Sequence, residues 1–274
     1  MFKIIFTITY IIYLILIGII VGLASGLLGV GGGFIMVPLQ YFALTSIGVN
    51  SDLAFKISLG TSLASIIPTA LSGAYTHNKE SEIDILKPGI MLGVFGIVGG
   101  FFGGWAASVI PTDILKVIFS LVLVIISINM LIKKTDNHET KINLNIYSSI
   151  LIGVVVGFLA GLFGIGGGAF IVPILTILCG FKMVEAIGTS TIFIPFSAIG
   201  GTISYIIAGY GVNTFPYSVG YVNLVNFILI IIVSIPMAHF GAKFAYKINE
   251  KHLKRFFALF LIIIALKISN LLPF

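Results

Sequence analysis

Charged side chains are scarce in this sequence, since Asp, Glu, Lys and Arg together make up 9% of its 274 residues. Soluble domains contain nearer a quarter charged residues, so this composition excludes a water-soluble fold. Hydrophobic residues make up 58% of the chain, and the mean hydropathy is +1.19. Apolar runs, each close to the roughly 20 residues that a helix needs to cross a bilayer, follow one another along the whole length. We therefore predict an all-α integral membrane protein with several crossings of the cell membrane.

Cysteine is almost absent, because Cys179 is the only one. A single thiol forms no disulfide within the chain and no cysteine-based metal cluster. The sequence contains no ATP-binding P-loop, no Ser/His pair, no His-x3-His motif and no paired carboxylates within an apolar run. We expect no enzymatic activity, no cofactor and no metal site. The net charge of +6 comes from Lys and Arg residues between the apolar runs, which favours membrane orientation over nucleic-acid binding.

A glycine-rich motif occurs twice, at an offset of 135 residues (161 minus 26). Residues 26–38 read Gly-Leu-Leu-Gly-Val-Gly-Gly-Gly-Phe-Ile-Met-Val-Pro, and residues 161–173 read Gly-Leu-Phe-Gly-Ile-Gly-Gly-Gly-Ala-Phe-Ile-Val-Pro. The triplet Gly-Thr-Ser recurs at 60–62 and 188–190. Because the landmarks keep their order, we predict a tandem duplication, with one membrane repeat at 1–136 and a second at 137–274 that together form one transport unit.

Each repeat is predicted to contain five helical elements. In the first repeat they span about 4–24, 33–46, 52–76, 87–109 and 113–132. In the second they span about 145–161, 168–180, 184–208, 218–246 and 251–271. An odd number of crossings inverts the second repeat relative to the first.

The distribution of positive charge favours this inverted arrangement. With five crossings per repeat and the N-terminus outside, only Lys3, Lys56, Lys116 and Lys267 lie outside, which leaves 11 of the 15 Lys and Arg residues inside (15 minus 4). The alternative has four spans per repeat, with glycine segments that enter the membrane and return, and it divides the 15 into 8 inside and 7 outside. Short cytoplasmic loops carry an excess of Lys and Arg, so the five-plus-five arrangement is preferred.

The glycine motifs are predicted to interrupt membrane helices and to bind substrate. Glycine costs about 1 kcal/mol per residue in a helix interior, so consecutive glycines break the helix. Freed backbone groups are tolerated inside a membrane only where protein buries them or a watery cavity solvates them. Each break precedes a short helix, whose unpaired N–H groups and positive dipole end attract an anion. With inverted repeats, the two breaks meet near the midplane. The predicted substrate-binding glycines are Gly31, Gly32, Gly33, Gly166, Gly167 and Gly168.

The alternative interpretation is that these glycines only permit close helix packing. We favour that interpretation for the glycines spaced four residues apart upstream of each break. These are Gly18, Gly22, Gly26, Gly153, Gly157 and Gly161.

Side-chain ligands are predicted from the hydroxyl groups that recur in both repeats. Thr61, Ser62, Thr189 and Ser190 could donate hydrogen bonds to an anion without burying a charge. Gln40, in the first short helix, is a further candidate ligand. The alternative is that these side chains bond to their own helix carbonyls or hold neighbouring helices together.

Ionisable side chains within the apolar runs are few. His239 lies inside a predicted span, where packing between helices is a better explanation than proton coupling. His77 and His138 are expected in solvated loops, and His252 at a helix start. Asp and Glu occur only at the ends of predicted spans, so transport driven by the anion gradient, or by a proton carried on the substrate, is favoured over a carboxylate relay.

The two Gly-x-Gly-Gly-Gly segments that end in Val-Pro, the Gly-Thr-Ser triplets and the duplication resemble the sulfite exporter TauE/SafE family, also called the toluene sulfonate uptake permeases. The resemblance covers essentially the whole chain. It implies transport without ATP of small sulfur-containing or carboxylate anions such as sulfite, sulfonates or sulfoacetate. The leading hypothesis is a secondary transporter that works by alternating access at the midplane, and an anion channel of the same architecture is the alternative. The expected partners are a small anionic solute and the lipid bilayer; assembly into a homo-oligomer stays open.

Overall fold

The computed structural model describes residues 8–80, 84–132, 144–181, 183–212 and 215–245, together with Ile262 and Leu266. Within these ranges the chain forms nine α-helices and one two-stranded sheet. The helices before residue 133 are α1 (Ile8–Leu28), α2 (Gly33–Ser46), α3 (Ser51–Glu80), α4 (Leu86–Val109) and α5 (Thr112–Ile132). Those that follow are α6 (Ile146–Phe163), α7 (Gly168–Ile177), α8 (Met183–Gly209) and α9 (Leu224–Ala245).

Six of the described helices are long and apolar enough to cross a membrane, namely α1, α3, α4, α6, α8 and α9. Their outward surfaces are apolar as well. On α4, Ile90, Val94 and Val98 are each nearly half exposed and follow one another every four residues, which places them along one side of the helix. A bilayer, and not water, suits such a surface. The prediction of an all-helical, multi-pass membrane protein is confirmed.

The short helices begin at the residues that the glycine motifs predict. Helix α2 starts at Gly33 and α7 at Gly168, although α7 ends at Ile177 and so is shorter than expected. The predicted third elements correspond to α3 and α8, and α3 continues to Glu80. Apart from Ile262 and Leu266, the predicted element at 251–271 lies outside the described residues, as do His138 and His252.

The expectation that a helix begins at residue 218 is wrong. Ser218–Val219 forms β1, which pairs antiparallel with β2 (Val222–Asn223), and α9 begins only at Leu224. Tyr217 and Gly220 have φ angles of 58° and 56°, which a right-handed helix excludes. The Asn223 side chain donates a 2.9 Å hydrogen bond to the carbonyl of Pro216 and closes this turn.

His77 also departs from the prediction, since it does not lie in a solvated loop. It belongs to the last turns of α3 and is fully buried, with Nε2 3.0 Å from the carbonyl oxygen of Gly26. The polar residues that follow Tyr75 in the sequence predict the end of the helix near residue 76. The helix instead continues to Glu80, and α1 covers the side of it that carries His77.

Glycines allow α1 to pack closely on α9, and α6 on α4. The backbone carbonyls of Ile230, Ser234 and Ala238 on α9 face Gly18, Gly22 and Gly26 on α1. The carbonyls of Leu92, Gly96 and Gly100 on α4 face Gly153, Gly157 and Gly161 on α6. A Cβ atom at Gly22 would lie 2.5 Å from the Ser234 oxygen, and one at Gly157 would lie 2.5 Å from the Gly96 oxygen. These contacts confirm the packing role predicted for the six spaced glycines.

Contacts between helix ends define two faces of the bundle. Lys56, near the start of α3, donates to the carbonyl of Ser108 at the end of α4 and lies over the ring of Tyr221, between α8 and α9. We call this side face A. On the opposite side, face B, a Cβ atom at Gly188 near the start of α8 would contact Ile85, just before α4, and His77, near the end of α3. Helices α3 and α9 therefore run from face A to face B, and α4 and α8 run back.

Candidate functional site

The two glycine breaks have the same backbone conformation. The φ angles of Gly29, Gly31 and Gly32 are 63°, 76° and 72°. Those of Gly164, Gly166 and Gly167 are 67°, 74° and 86°. Residues with a side chain rarely adopt these left-handed angles, so glycine is needed at all six positions for the chain to reverse between α1 and α2 and between α6 and α7.

The starts of α2 and α7 lie against each other's break. A Cβ atom at Gly33 would be 2.6 Å from the Cα of Ile165, and one at Gly168 would be 2.5 Å from the Cα of Val30. Only glycine permits such close approach of two backbones. Helix α2 then runs to face A, where the Tyr41 hydroxyl bonds Ser51 at the start of α3. Helix α7 leads instead to the start of α8, which lies at face B. The N-terminal ends of both short helices therefore point at the centre.

Backbone N–H groups at these helix starts have no acceptor in the described part of the chain. Ile35 and Met36 both donate to the carbonyl of Gly32, and Phe170 and Ile171 both donate to that of Gly167. The N–H groups of the two residues before each of these pairs donate no hydrogen bond within the described residues. These residues are Gly33, Phe34, Gly168 and Ala169.

Two of the predicted hydroxyl ligands instead brace the breaks. Ser62 Oγ donates a 2.8 Å hydrogen bond to the carbonyl of Gly164, and Ser190 Oγ donates a 2.6 Å bond to that of Gly29. Each serine belongs to the Gly-Thr-Ser triplet of one half and holds the break of the other. In this conformation their protons are already in use, so Ser62 and Ser190 position the backbone.

The neighbouring threonines differ from each other. Thr61 Oγ1 accepts a 2.9 Å hydrogen bond from the backbone N–H of Asn223. Thr189 is fully buried, and its Oγ1 has no hydrogen-bond partner among the described residues. A buried hydroxyl without a partner is uncommon, so Thr189 retains a free donor for a ligand.

Gln40 is fully buried at the junction of α1, α2 and α9. Its Oε1 lies 3.5 Å from Asn226 Nδ2, and the Tyr10 hydroxyl donates a 2.9 Å bond to Asn226 Oδ1. Within the described residues the Gln40 Nε2 has no acceptor. Gln40 thus both links helices and keeps an amide donor that a ligand could use.

The centre of the bundle is closed. The side chains of Ile66 on α3 and Ile194 on α8 are fully buried, and both contact the Cβ positions of Gly31 and Gly166. Of the two environments that a broken helix tolerates in a membrane, burial by protein is the one present here, since the glycines pack on these two isoleucines and on one another. The cavity described below lies at face A and has other lining residues.

The profile described as Sulfite exporter TauE/SafE matches residues 14–268 of the chain. The chain belongs to the sulfite exporter TauE/SafE family. Its relatives include a Haemophilus influenzae protein named "Probable membrane transporter protein", 35% identical over 94% of this chain and 97% of the relative. A protein of the same description from Methanocaldococcus jannaschii is 34% identical and covers 88% of each chain. One from Bacillus subtilis is 34% identical over 84% of this chain and 89% of the relative. No solved structure matches the chain.

In this TauE/SafE chain, several polar contacts were not found from the sequence. Ser197 donates to the carbonyl of Gly166 at 2.8 Å, and Thr69 bonds Ser234 on α9 at 2.6 Å. His239 Nδ1 lies 2.7 Å from Thr76 Oγ1, so this histidine is packed between helices as predicted. The available signal was the isolated polar residue in an apolar run, which indicates a buried contact without naming its partner.

Proposed function

We propose that this membrane transporter is a secondary transporter of small anions, with its binding site where the two glycine breaks meet. One observation carries the proposal: the starts of α2 and α7 converge on one place, and their first N–H groups have no acceptor among the residues that the structure describes. Each helix start carries about half a positive charge. Two such ends that face each other repel, and an anion between them relieves the repulsion and accepts the free donors.

We propose the following residues for this site. Gly31, Gly32 and Gly33, with Gly166, Gly167 and Gly168, form the backbone lining that an anion approaches. Among the described residues, Thr189 Oγ1 and Gln40 Nε2 have no hydrogen-bond partner, and these two groups are the proposed side-chain ligands. Thr61, Ser62 and Ser190 hold the surrounding backbone in place.

We also propose that residues 1–136 and 137–274 are inverted repeats with five elements each. Matched contacts support this relationship, because α1 packs on α9 as α6 packs on α4, each through three glycines. The exchange of serine bonds between Ser62 with Gly164 and Ser190 with Gly29 supports it too. Lys56 beside Tyr221 favours five crossings, since four per repeat would put these residues on opposite faces.

Alternating access accounts for the closed centre. An anion reaches the breaks only if Ile66 and Ile194 separate from Gly31 and Gly166 on one side of the bundle. Rocking of one repeat against the other would open each side in turn. The family description makes sulfite the first substrate to test, and small sulfonates and carboxylates follow from the same chemistry.

Counterflow in proteoliposomes tests the proposal. Vesicles loaded with unlabelled sulfite should accumulate external labelled sulfite faster than empty vesicles, and uptake should saturate. The panel would include sulfate, thiosulfate, taurine, sulfoacetate, acetate and chloride. Large single-channel currents without counterflow would favour a channel, and absence of both for every anion would overturn the anion assignment.

A further inference from the structure

A cavity of about 470 Å³ lies at face A, between the C-terminal ends of α4 and α8. It is separate from the glycine breaks, none of whose residues line it. Its wall includes Lys56, Trp105, Ser204, Ile207 and Tyr221. Ser204 and Tyr221 are buried, whereas Trp105 and Ile207 are mostly exposed, so the inner end of the cavity is polar and the outer end is apolar.

Lys56 provides an uncompensated positive charge at the polar end. Its Nζ donates a 2.9 Å hydrogen bond to the carbonyl of Ser108 and lies 5.8 Å from the centroid of the Tyr221 ring. No described carboxylate lies within 4.0 Å of it, although Asp52 is one helical turn away. Lys116 on the same face differs, because Asp113 is 3.9 Å away and Ser51 Oγ is 2.6 Å away. An ammonium has three donors, so Lys56 keeps two for a ligand.

Ser204 provides a second free donor. Its side chain is only 2% exposed, it lines the cavity, and its Oγ has no partner among the described residues. Serines in helices usually bond back to their own helix, as Ser58 and Ser65 do here at 2.7 and 2.8 Å. A buried hydroxyl that forgoes this bond and lines the same cavity as an ammonium is suited to bind an anion.

The apolar end of the cavity opens towards the lipid. Trp105 and Ile207 are 57% and 61% exposed. They continue the outward-facing rows that include Val98 on α4 and Ile203 on α8. A tryptophan near the end of a membrane helix commonly lies at the boundary between lipid and water. A ligand with its head at Lys56 can therefore extend an apolar body past Trp105 into the bilayer edge.

We propose that this cavity is a second anion site, which binds an amphiphilic anion. The anionic head contacts Lys56 Nζ and Ser204 Oγ, and the apolar body lies against Trp105 and Ile207. A dissolved organic anion and an anionic membrane lipid share this chemistry. This site is independent of the proposed central site, and either can be absent without the other.

Trp105 is the only tryptophan of the chain, so all tryptophan fluorescence comes from the wall of this cavity. The full chain is placed in phosphatidylcholine nanodiscs and titrated with 6-bromohexanoate, whose bromine quenches tryptophan on contact. Quenching should saturate, and Lys56→Gln should weaken binding about tenfold or more. Lys56→Arg should retain binding, and Ser204→Ala should weaken it less than Lys56→Gln does. Lys87→Gln makes the same charge change on face B and should leave the titration unchanged.

Uncharged 6-bromohexanol measures quenching from within the lipid. The proposal is overturned if 6-bromohexanol quenches as well as the anion does. It is also overturned if Lys56→Gln keeps its thermal unfolding temperature and binds bromohexanoate as tightly as the unaltered protein. If Lys56→Gln unfolds, Ala208→Phe, which fills the cavity from another wall residue, must abolish saturable quenching. Nanodiscs in which a fifth of the lipid is phosphatidylglycerol then identify the source. The titration is repeated at high salt, which screens the repulsion between the anionic membrane and the anionic probe. Weaker bromohexanoate binding under these conditions shows that lipid occupies the site, and unchanged binding assigns it to dissolved anions.

Discussion

The Oγ atom of Ser190 donates a 2.6 Å hydrogen bond to the carbonyl oxygen of Gly29, although 161 residues separate the two in the chain. Ser62 makes the corresponding bond of 2.8 Å to Gly164. Both carbonyls belong to the first glycine of a break, where no helix supplies a donor. The two serines therefore hold each glycine break from the opposite half of the chain.

Replacing these serines with alanine should loosen the breaks. An unpaired buried acceptor costs about 1–3 kcal/mol, so Ser62→Ala and Ser190→Ala should lower the thermal unfolding temperature and slow uptake. Ser58→Ala is the control, because Ser58 Oγ bonds to Ala54 in its own helix and joins no other element. Equal loss of stability and uptake in Ser58→Ala and Ser62→Ala would contradict the bracing role.

Gly32 should not tolerate alanine. Its φ of 72° is strained for any side chain, and a Cβ atom there would lie 2.7 Å from Val21 Cγ1 and 2.8 Å from the Val21 oxygen. Gly48 is a matched control, since its φ is 84° but a Cβ atom there meets nothing within 4 Å. Gly48→Ala should lose only the backbone term of about 1–2 kcal/mol. Gly32→Ala should in addition abolish uptake; uptake rates that fall equally in both variants would show that close approach at Gly32 is unimportant.

The breaks and the helices were predictable because their signals are local. Three glycines in an apolar run break a helix whatever surrounds them, and Gly33 and Gly168 are where the short helices begin. Hydropathy likewise marks each long helix without knowledge of its neighbours. His77 was misplaced for the converse reason, since its burial depends on α1 and not on the residues beside it.

Partners across the bundle could not be predicted. The Gly-Thr-Ser triplets identified Ser62 and Ser190 as a pair, but nothing in the sequence directs either hydroxyl to the other half's break. In the sequence, Lys56 is an ordinary charge at the end of a span. It lines one cavity with Ser204 and Tyr221 only once α3, α4 and α8 are assembled. The close-packed centre at Ile66 is a further property of tertiary packing.

Close packing of α1 on α9 predicts different effects at two glycines. A Cβ atom at Gly26 would clash with the carbonyl of Ala238, whereas one at Gly73 on α3 would make an ordinary 3.8 Å contact with Thr191. Gly26→Ala should therefore destabilise the protein, and Gly73→Ala should be neutral or stabilise it by up to about 1 kcal/mol through helix propensity. Thermal unfolding in detergent measures both. A Gly26→Ala protein as stable as Gly73→Ala would show that α1 can move away from α9 at little cost.

The inverted arrangement predicts which residues share a side of the membrane. Asp52 and Tyr210 are exposed at face A, while Lys87 and Tyr147 are exposed at face B. Each is replaced singly by cysteine in a Cys179→Ala chain, and intact cells are treated with a membrane-impermeant maleimide. With five elements per repeat and face A outside, the cysteines at 52 and 210 should be labelled directly, and those at 87 and 147 only after permeabilisation. Four crossings per repeat would instead put 52 and 210 on opposite sides, because the glycine segments would no longer count as crossings. If only one of the cysteines at 52 and 210 is labelled in intact cells, the inverted five-plus-five arrangement is ruled out. If neither is labelled while those at 87 and 147 are, the arrangement stands and its orientation in the membrane is reversed.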